Sequence, residues 1–363
     1  MIPPATFRVR LTRISHLSGL TLLFCFLYFG FNSFINKEDP LCQEEDLYKK
    51  APFPVGTALN TNKLKNEERY WTAALKHYNS FTPEKILKPK FIHPKADAFD
   101  FWETDHLMDF CRQNNIRLHG HTLVWHNATP EWMEKFKGDS AAWDSLLKDH
   151  VQTIVRHCRS TIRSWDVVNE AFNDDGSMRK NIWFKNIGES YIEKAFRYAM
   201  EADSTAKLFY NDYSLERNDD KLASVLRYLE QVRAKGIRVD GIGLQMHVSL
   251  ASPSINNINE AAQRIYKSGY LVHYSELDIS LVADQPLFVS RKKLLAAQKE
   301  RYKEIVQGYM KLPAAYRFGI TLWGVSDNDS WLMDESMRTR PLLFNTHYKI
   351  KPAFCGFTEA LTQ

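Results

Sequence analysis

The stretch Ser164-Trp165-Asp166-Val167-Val168-Asn169-Glu170 decides the fold, because it joins a short apolar strand to polar side chains at its end. A helical pattern precedes it over Ala142–Cys158, where apolar residues recur at every third or fourth position. Seven further strand-like runs repeat this plan in both directions along the chain. The eight expected strands are Pro54–Ala58, Ser80–Thr82, Arg117–Leu123, Ser164–Val168, Lys207–Tyr210, Gly241–Gln245, Val272–Leu277 and Phe318–Trp323.

Helical patterns separate these strands. Further helices are expected over Tyr191–Ala202, Lys221–Ala234 and Arg291–Met310, and Gly236 and Gly269 stand where helices should end. Eight alternating strand–helix units predict an α/β fold, a (β/α)8 TIM barrel. An open, doubly wound sheet is the alternative, which the lack of a Gly-x-Gly-x-x-Gly motif after the first strand disfavours.

The size of the chain fits one such barrel. It has 363 residues, of which 44% are hydrophobic and 25% charged, as is usual for a globular protein. Barrels of this kind commonly take about 250 residues or more, so residues 46–363 are predicted to form a single domain.

The N-terminal residues are typical of an export signal. Arg8, Arg10 and Arg13 precede an apolar stretch over residues 17–35, which fits a cleaved signal peptide or a membrane anchor. An apolar segment of about 20 residues can cross a bilayer, so both outcomes stay open. Residues 1–45 are assigned to this signal and a short linker, and the polar stretch over residues 36–50 is expected to be a linker. The folded part is therefore expected outside the cytoplasm, as a secreted, periplasmic or membrane-anchored protein.

Charge and cysteine content exclude several classes of function. The net charge is +5, but charges of both signs are mixed along the chain, and no basic run indicates nucleic-acid binding. The five cysteines show no zinc-ligand spacing. Cys111 and Cys158 are expected to be buried thiols. Cys42 and Cys355 lie near opposite ends of the chain, which a closed barrel can bring together, so a bridge between them is left open.

Polar and aromatic residues follow the predicted strands. In a parallel barrel the carboxyl ends of the strands form one face, so these side chains should converge there. They are Asn60, Glu84, His121, Trp125, His126, Asn169, Glu170, Asn211, Tyr213, Gln245, His247, Glu276, Asp278 and Trp323. The set contains no metal-ligand spacing and no motif for a serine or cysteine nucleophile. The chain is rich in aromatic residues, most of which should fill the core while a few line a cleft for a sugar ring.

Two carboxylates stand out in this set. Glu170 ends the fourth strand and Glu276 the seventh, and these strands face each other across the barrel mouth. Glycosidic bonds are cleaved by such a pair, with one carboxyl group protonated and the other ionised. The sequence pattern alone leaves retention and inversion of the anomeric configuration open.

Seven ordered motifs resemble glycoside hydrolase family 10, the endo-1,4-β-xylanases. The resemblance covers nearly all of residues 52–360. The motifs are Gly120–His126 (Gly-His-Thr-Leu-Val-Trp-His), Trp165–Ala171 (Trp-Asp-Val-Val-Asn-Glu-Ala), Asn211–Tyr213 (Asn-Asp-Tyr), Gly241–Gln245 (Gly-Ile-Gly-Leu-Gln), Ser275–Ile279 (Ser-Glu-Leu-Asp-Ile), Leu322–Asp327 (Leu-Trp-Gly-Val-Ser-Asp) and Arg340–Phe344 (Arg-Pro-Leu-Leu-Phe).

The resemblance implies a role for each matching residue. Glu170 resembles the family's acid/base and Glu276 its nucleophile, which His247 and Asp278 orient. Asn169 is implied to bind the 2-hydroxyl of the sugar at the cleavage site. His126 is expected to be structural. The remaining implied substrate ligands are Glu84, Lys88, His121, Trp125, Tyr213, Gln245, Trp323 and Trp331.

The chain departs from the family pattern at two positions. Lys85 stands where the family usually has asparagine in Glu-Asn-x-x-Lys, and Ala128 stands where a glutamine is common. Both usual residues contact the sugar one place beyond the cleavage site on the glycone side. A lysine offers only donors and a charge, so this subsite is expected to be altered. One interpretation is that Lys85 binds an acidic glucuronyl decoration; the other is that it points to solvent and the subsite is merely weaker.

These observations together predict a retaining endo-β-1,4-xylanase that acts on xylan or xylo-oligosaccharides. No cofactor and no metal are expected, the chain should be a monomer, and residues 17–35 could tether it to a membrane. Two alternatives are a carbohydrate-binding protein that has lost turnover and a hydrolase of a neighbouring specificity, such as mixed-linked glucan.

Overall fold

A computed structural model describes residues 42–281, 289–333 and 338–362. The expected signal peptide or membrane anchor lies outside these residues. A compact unit begins at Cys42, slightly before the domain start predicted at residue 46. Among the residues that the structure describes, no helix is both long and apolar enough to span a bilayer.

The core of this unit is a closed parallel barrel, as the sequence predicted. Strand order follows the chain, and closure comes from β9 pairing with β1 and from β6 pairing with β8. The alternative of an open sheet is therefore wrong. The strands are β1 (Val55–Leu59), β2 (Ser80–Pro83), β3 (Arg117–Val124), β4 (Ile162–Asn169), β5 (Lys207–Asp212), β6 (Gly241–Leu244), β7 (His247–Ser249), β8 (Leu271–Ser280) and β9 (Arg317–Leu322).

β7 is a short strand outside the eight predicted ones. Met246 has φ +62°, in the left-handed region, and it interrupts the extended chain between β6 and β7. After this interruption β7 pairs with the far end of β8, and His247 lies opposite Asp278 in the register. The break therefore places an imidazole beside the end of the seventh barrel strand.

The helices surround the barrel, and two short 3₁₀ helices (Ala314–Tyr316 and Asp327–Asp329) lie before and after β9. All four predicted helices are confirmed, and Gly236 and Gly269 follow helix ends with φ +77°. The helices are α1 (Leu47–Lys50), α2 (Thr61–Asn66), α3 (Glu68–His77), α4 (Pro89–Ile92), α5 (Trp102–Gln113), α6 (Glu131–Glu134), α7 (Ser140–Cys158), α8 (Ile182–Ile187), α9 (Tyr191–Ala202), α10 (Asp219–Ala234), α11 (Ile255–Lys267), α12 (Arg291–Met310) and α13 (Pro352–Ala360).

The barrel interior is filled by side chains. Trp165 on β4 is fully buried and packs against Gly120 on β3. A Cβ atom at position 120 would lie 2.1 Å from the indole ring, so only glycine leaves room for this tryptophan. Large buried rings of this kind supply much of the apolar area that stabilises the fold.

The two ends of the barrel domain are joined covalently. Cys42 and Cys355 form a disulfide with their Cα atoms 5.6 Å apart, which is the pairing that the sequence left open. Leu47 on α1 is fully buried in the core. The linker expected over residues 36–50 is therefore wrong for residues 42–50, because the disulfide and Leu47 fix them to the barrel. Cys111 and Cys158 are buried free thiols, as predicted.

The disulfide closes a loop of 313 residues, so its removal should destabilise the domain strongly. We expect Cys355→Ser to lower the free energy of unfolding by about 3–5 kcal/mol, measured by urea denaturation without reductant. As a control, reductant should lower the wild-type midpoint towards that of the variant and leave the variant unmoved. A wild-type midpoint that reductant does not change would contradict the bridge.

Candidate active site

A cleft of about 460 Å³ opens at the carboxyl ends of the barrel strands. It brings together twelve of the predicted site residues and adds two that the sequence did not single out. The lining residues are Glu84, Lys88, His121, Trp125, Asn169, Glu170, Tyr213, Ser214, Arg217, Gln245, His247, Glu276, Trp323 and Trp331. Asp278 lies fully buried behind His247.

Lys85 is the predicted substrate ligand that does not line the cleft. The chain turns after β2, with the Lys88 N–H donating to the Lys85 carbonyl at 2.9 Å. Glu84 and Lys88 line the cleft from this turn, whereas Lys85 is exposed to solvent. The interpretation that Lys85 points to solvent is therefore the one that the structure favours.

Glu170 is held by both its backbone and its carboxylate. Its φ is +57°, and its N–H donates to the Asn211 carbonyl at 2.9 Å, while its own carbonyl accepts from Arg179 Nε at 3.0 Å. The carboxylate accepts from Trp125 Nε1 at 2.9 Å and from Gln245 Nε2 at 3.0 Å. Each carboxylate oxygen thus has a neutral donor, and the group faces the cleft without a close cation among these partners.

Glu276 has a different environment. It is 5% exposed and accepts from Asn211 Nδ2 at 2.7 Å, and its other oxygen lies 3.3 Å from His247 Nε2. Burial raises the pKa of Glu276, but the hydrogen bond from His247, the positive charges of His121 and His247, and the bond from Asn211 together lower it. Glu276 is therefore kept ionised in a buried position.

His247 connects Glu276 to Asp278. Its Nδ1 lies 3.0 Å from Asp278 Oδ2, the same oxygen that accepts from Trp331 Nε1 at 3.0 Å. Burial lowers the pKa of His247, but the carboxylates of Asp278 and Glu276 outweigh it and raise this pKa to about 10. The ring is then an imidazolium that donates from both nitrogens, one to each carboxylate.

The Asn211 carboxamide links Glu276 to Asn169, the residue before Glu170. Asn211 Nδ2 lies 2.7 Å from Glu276 and 2.9 Å from the Asn169 side-chain amide, while Ser275 Oγ donates to Asn211 Oδ1 at 2.6 Å. A Cβ at Gly243 would lie 2.2 Å from Asn211 Oδ1, so the glycine on β6 makes room for this orientation. Sequence analysis noted Asn211 at a strand end but gave it no role in the site.

His121 is fixed from the barrel interior. Its Nδ1 lies 2.9 Å from Asp166 Oδ2, and His119 Nε2 lies 3.1 Å from the other oxygen of the same carboxylate. Burial raises the pKa of Asp166, but the two histidines outweigh it and hold this pKa well below the usual range. With Nδ1 engaged by Asp166, the Nε2 of His121 is left for a ligand in the cleft.

The remaining walls of the cleft are aromatic. Trp323 is nearly buried and meets His121 edge to face, with ring centroids 5.4 Å apart, while Trp331 is 59% exposed. Lys88 Nζ lies 4.8 Å from the centroid of the Trp125 ring, and burial lowers the pKa of this lysine against the pull of nearby Glu276, Glu84 and Glu170. Flat rings beside polar side chains suit the apolar face and the hydroxyl rim of a sugar.

His126 was expected to be a structural hydrogen bonder. It does not line the cleft, and its Nδ1 lies 3.8 Å from Glu170 Oε2, beyond hydrogen-bond distance. Burial lowers the pKa of His126, as does the charge of Arg179, against the opposing effect of Glu170. The ring lies beside Glu170, but its buried Nδ1 has no hydrogen-bond partner among the described residues, so the expected hydrogen-bonding role stays a prediction.

A buried lysine supports the wall behind Glu170. Lys221 is fully buried; its Nζ lies 2.9 Å from Asp212 Oδ1 and 3.5 Å from the centroid of the Tyr213 ring. Burial raises the pKa of Asp212 to about 7, with Lys221 acting in the opposite direction. Arg179 Nη2 donates to the Tyr213 hydroxyl at 2.8 Å and also contacts the Glu170 backbone. The ion pair thus supports both Tyr213 and the Glu170 segment.

Sequence analysis missed Lys221 and Arg217. A signal for Lys221 is its place in the first turn of α10, where a cation opposes the helix dipole and so needs a partner. Arg217 lies between β5 and α10, and its Nη2 donates to the His247 carbonyl at 2.9 Å. It lines the cleft at the end opposite Glu84 and Lys88.

No group suited to a metal ion is found among the described residues, where no three His, Cys, Asp or Glu side chains are arranged to hold one. The chemistry that the cleft offers is that of two carboxylates in unequal surroundings, one hydrogen-bonded to neutral donors and one kept ionised by a cation.

Known proteins resemble this chain in sequence and in fold. The family model described as glycosyl hydrolase family 10 matches residues 44–360. Endo-1,4-beta-xylanase B of Thermotoga neapolitana is 33% identical over 350 residues, which cover 96% of this chain and 99% of that protein. Endo-1,4-beta-xylanase A of Thermoanaerobacterium saccharolyticum is 35% identical over 328 residues; the match covers 86% of this chain but 28% of that longer protein.

A solved relative has the same architecture. A mutant xylanase 10C from Cellvibrio japonicus, in complex with xylopentaose, superposes with a TM-score of 0.84 at 33% identity, covering 88% of this chain and 69% of that one. The family model spans most of the barrel domain, and the matched relatives share its closed fold. The chain therefore belongs to glycosyl hydrolase family 10.

Proposed function

We propose that this protein is a retaining endo-β-1,4-xylanase. The observation that carries the proposal is that the two carboxylates have different surroundings. Glu276 is buried and kept ionised by His247 and Asn211, whereas Glu170 faces the cleft and accepts hydrogen bonds from neutral donors. Glycosidic cleavage with retention needs a nucleophile and a separate acid/base. Relatives of matching length are named xylanases, and the Cellvibrio relative was solved with xylopentaose.

The reaction follows from these two environments. The Glu276 carboxylate attacks the anomeric carbon while protonated Glu170 gives its proton to the glycosidic oxygen, so the C–O bond breaks and a glycosyl ester forms on Glu276. Ionised Glu170 then takes a proton from water, whose oxygen attacks the anomeric carbon and releases Glu276. Both residues return to their starting protonation states.

Neighbouring residues bind and orient the sugars. We assign Asn169 to the 2-hydroxyl of the sugar at the cleavage site, since its amide lies between Glu170 and Asn211. His121 and Gln245 act as hydroxyl ligands in the same part of the cleft. The other proposed substrate contacts are Trp125, Trp323 and Trp331 as walls of the cleft, Glu84 and Lys88 on the glycone side one place beyond the cleavage site, and Tyr213.

We propose that the subsite one place beyond the cleavage site, on the glycone side, is altered. Glu84 and Lys88 remain in the cleft, but Lys85 is exposed and the methyl group of Ala128 offers no hydrogen bond. The sugar at this position therefore loses two polar partners. A substituent on that sugar meets less protein, and the exposed Lys85 is three residues from Lys88 in the same turn.

The protein is proposed to act outside the cytoplasm, as a monomer. Arg8, Arg10, Arg13 and the apolar residues 17–35 provide an export signal or tether, and the Cys42–Cys355 disulfide suits an oxidising compartment. Xylan is also a polymer that a cell meets outside its membrane.

Substitution of the two carboxylates tests the enzyme. We expect the full chain to release xylo-oligosaccharides from glucuronoxylan, and Glu276→Ala to lose nearly all turnover on every substrate. Glu170→Ala should lose turnover on xylan but still form the glycosyl-enzyme from an aryl xylobioside with a good leaving group, which needs no acid. Exposed Glu131→Ala serves as the matched control. A wild type that binds xylan without cleaving it would establish a binding protein instead, and preference for mixed-linked glucan would change the specificity.

The pH dependence tests the role of His247. Glu276 must be ionised to attack, so the acid limb of kcat/KM follows its pKa, which His247 lowers. His247→Ala removes that effect, so that burial, which raises the pKa, is then opposed by His121 and Asn211 without the imidazolium. We expect the acid limb to move to higher pH by about one unit or more, with His347→Ala, an exposed histidine, unchanged. An acid limb that stays in place would show that His247 does not control Glu276.

Lys85 tests the acidic-substituent interpretation. If its ammonium binds a glucuronyl group, Lys85→Ala should lower the rate on glucuronylated xylo-oligosaccharides several-fold and leave plain ones unchanged. Lys90→Ala, a nearby exposed lysine, is the control. Equal rates on both substrates, unchanged in Lys85→Ala, would reject this interpretation and leave a merely weaker subsite.

A further inference from the structure

An exposed aromatic cluster lies outside the cleft. Trp102, the first residue of α5, is 60% exposed, although a large indole ring normally gains stability by burial. Lys65 Nζ lies 4.6 Å from the centroid of its ring and 3.3 Å from Glu103 Oε1. The three residues Lys65, Trp102 and Glu103 are called the Trp102 cluster below. It presents an ammonium group, an indole ring and a carboxylate together at the surface, and the His106 ring packs against the indole with centroids 4.4 Å apart.

The same three groups occur in the glycone wall of the cleft. There Lys88 Nζ lies 4.8 Å from the centroid of the Trp125 ring, and Glu84 lines the same cleft. The separation of ammonium and indole is nearly equal in the two places. The two sites differ in exposure, since Lys88 is largely enclosed whereas Lys65 has 38% of its side chain exposed. The Trp102 cluster thus repeats, on an open surface, the donor and ring chemistry of the cleft.

Contacts on one face of the barrel connect the cluster to the cleft. α2 leaves the carboxyl end of β1, and Thr61 Oγ1 in α2 lies 3.3 Å from Glu103 Oε2. Asn60, which caps α2, lines a small cavity together with Glu84 and Trp331 of the cleft wall. Asn60 and Thr61 thus link the cluster to the wall of the cleft that carries Glu84.

We propose that the Trp102 cluster is a second binding site for the β-1,4-linked sugar chain, beyond the glycone end of the cleft. This inference rests on the proposed xylanase function. The indole face stacks on the apolar face of a pyranose ring, and Lys65 and Glu103 supply a donor and an acceptor for its hydroxyls. A chain that engages cleft and cluster together gains affinity through the raised effective concentration of its second contact. Short substrates that fill only the cleft gain nothing.

The test compares short and long substrates in the full chain. We expect Trp102→Ala to leave kcat/KM on an aryl xylobioside unchanged, to raise KM on soluble xylan about three- to tenfold, and to weaken adsorption to insoluble xylan. Trp71→Ala is the matched control, because Trp71 is an exposed tryptophan on α3 outside the cluster. The double variant Lys65→Ala, Glu103→Gln should change the same two readouts in the same direction, and it leaves the indole in place.

Several outcomes would overturn this proposal. Unchanged adsorption and KM on xylan in Trp102→Ala would reject the site. The site would also be rejected if Trp102→Ala lost kcat/KM equally on the aryl xylobioside and on xylan while the double variant behaved as wild type. That pattern would show that loss of the indole damages the fold. A variant that differs from wild type only in sedimentation would show that a second copy covers Trp102. If wild type cleaves no xylan at all, the proposed function fails, whereas the cluster fails alone when wild type is active and Trp102→Ala matches it.

Discussion

The buried charge of Glu276 is the constraint on which the rest of the site depends. A carboxylate that is 5% exposed would be protonated unless its surroundings compensated for the lost water. His247 supplies a positive charge, and Asn211 supplies a hydrogen bond at 2.7 Å. The carboxylates of Asp278 and Glu276 in turn make His247 cationic, so the second buried carboxylate behind the imidazole helps to keep Glu276 ionised.

The barrel provides these compensating groups through its strand register. The break at Met246 lets β7 pair with β8 so that His247 lies opposite Asp278. Glu276 lies two positions before Asp278 and therefore on the same face of β8. Asn211 reaches Glu276 from β5 because Gly243 on the intervening strand has no side chain. The surroundings of Glu276 are therefore set by four neighbouring strands, β5 to β8, and by one glycine.

The sequence predicted the regular part of the molecule and the convergence of the two candidate carboxylates, Glu170 and Glu276, in one cleft. Strands and long helices have strong periodic patterns, and Glu170 and Glu276 end strands that must converge in a closed barrel. It could not predict the direction of Lys85, because one turn after β2 sends adjacent side chains to opposite sides. Residues 42–50 were misjudged as a linker, since their polar composition hides the burial of Leu47 and the disulfide at Cys42. Lys221 was missed because no sequence pattern pairs a lysine in α10 with Asp212 at the end of β5, although the two side chains form an ion pair.

Three of the non-glycine residues with positive φ follow the neighbouring strands β4, β5 and β6 at the cleft. Glu170, Ser214 and Met246 follow β4, β5 and β6 and have φ values of +57°, +59° and +62°, which non-glycine residues rarely adopt. Each such residue costs about 1–2 kcal/mol, so other contacts must offset the cost. At Glu170 these are the bonds from its N–H to Asn211 and from Arg179 to its carbonyl, and Arg179 is also bonded to Tyr213 beside the buried Lys221–Asp212 pair. If Glu170 had an ordinary negative φ, its backbone would not be strained. Its carboxyl group would then point away from Trp125 and Gln245, which now hold it at the cleft.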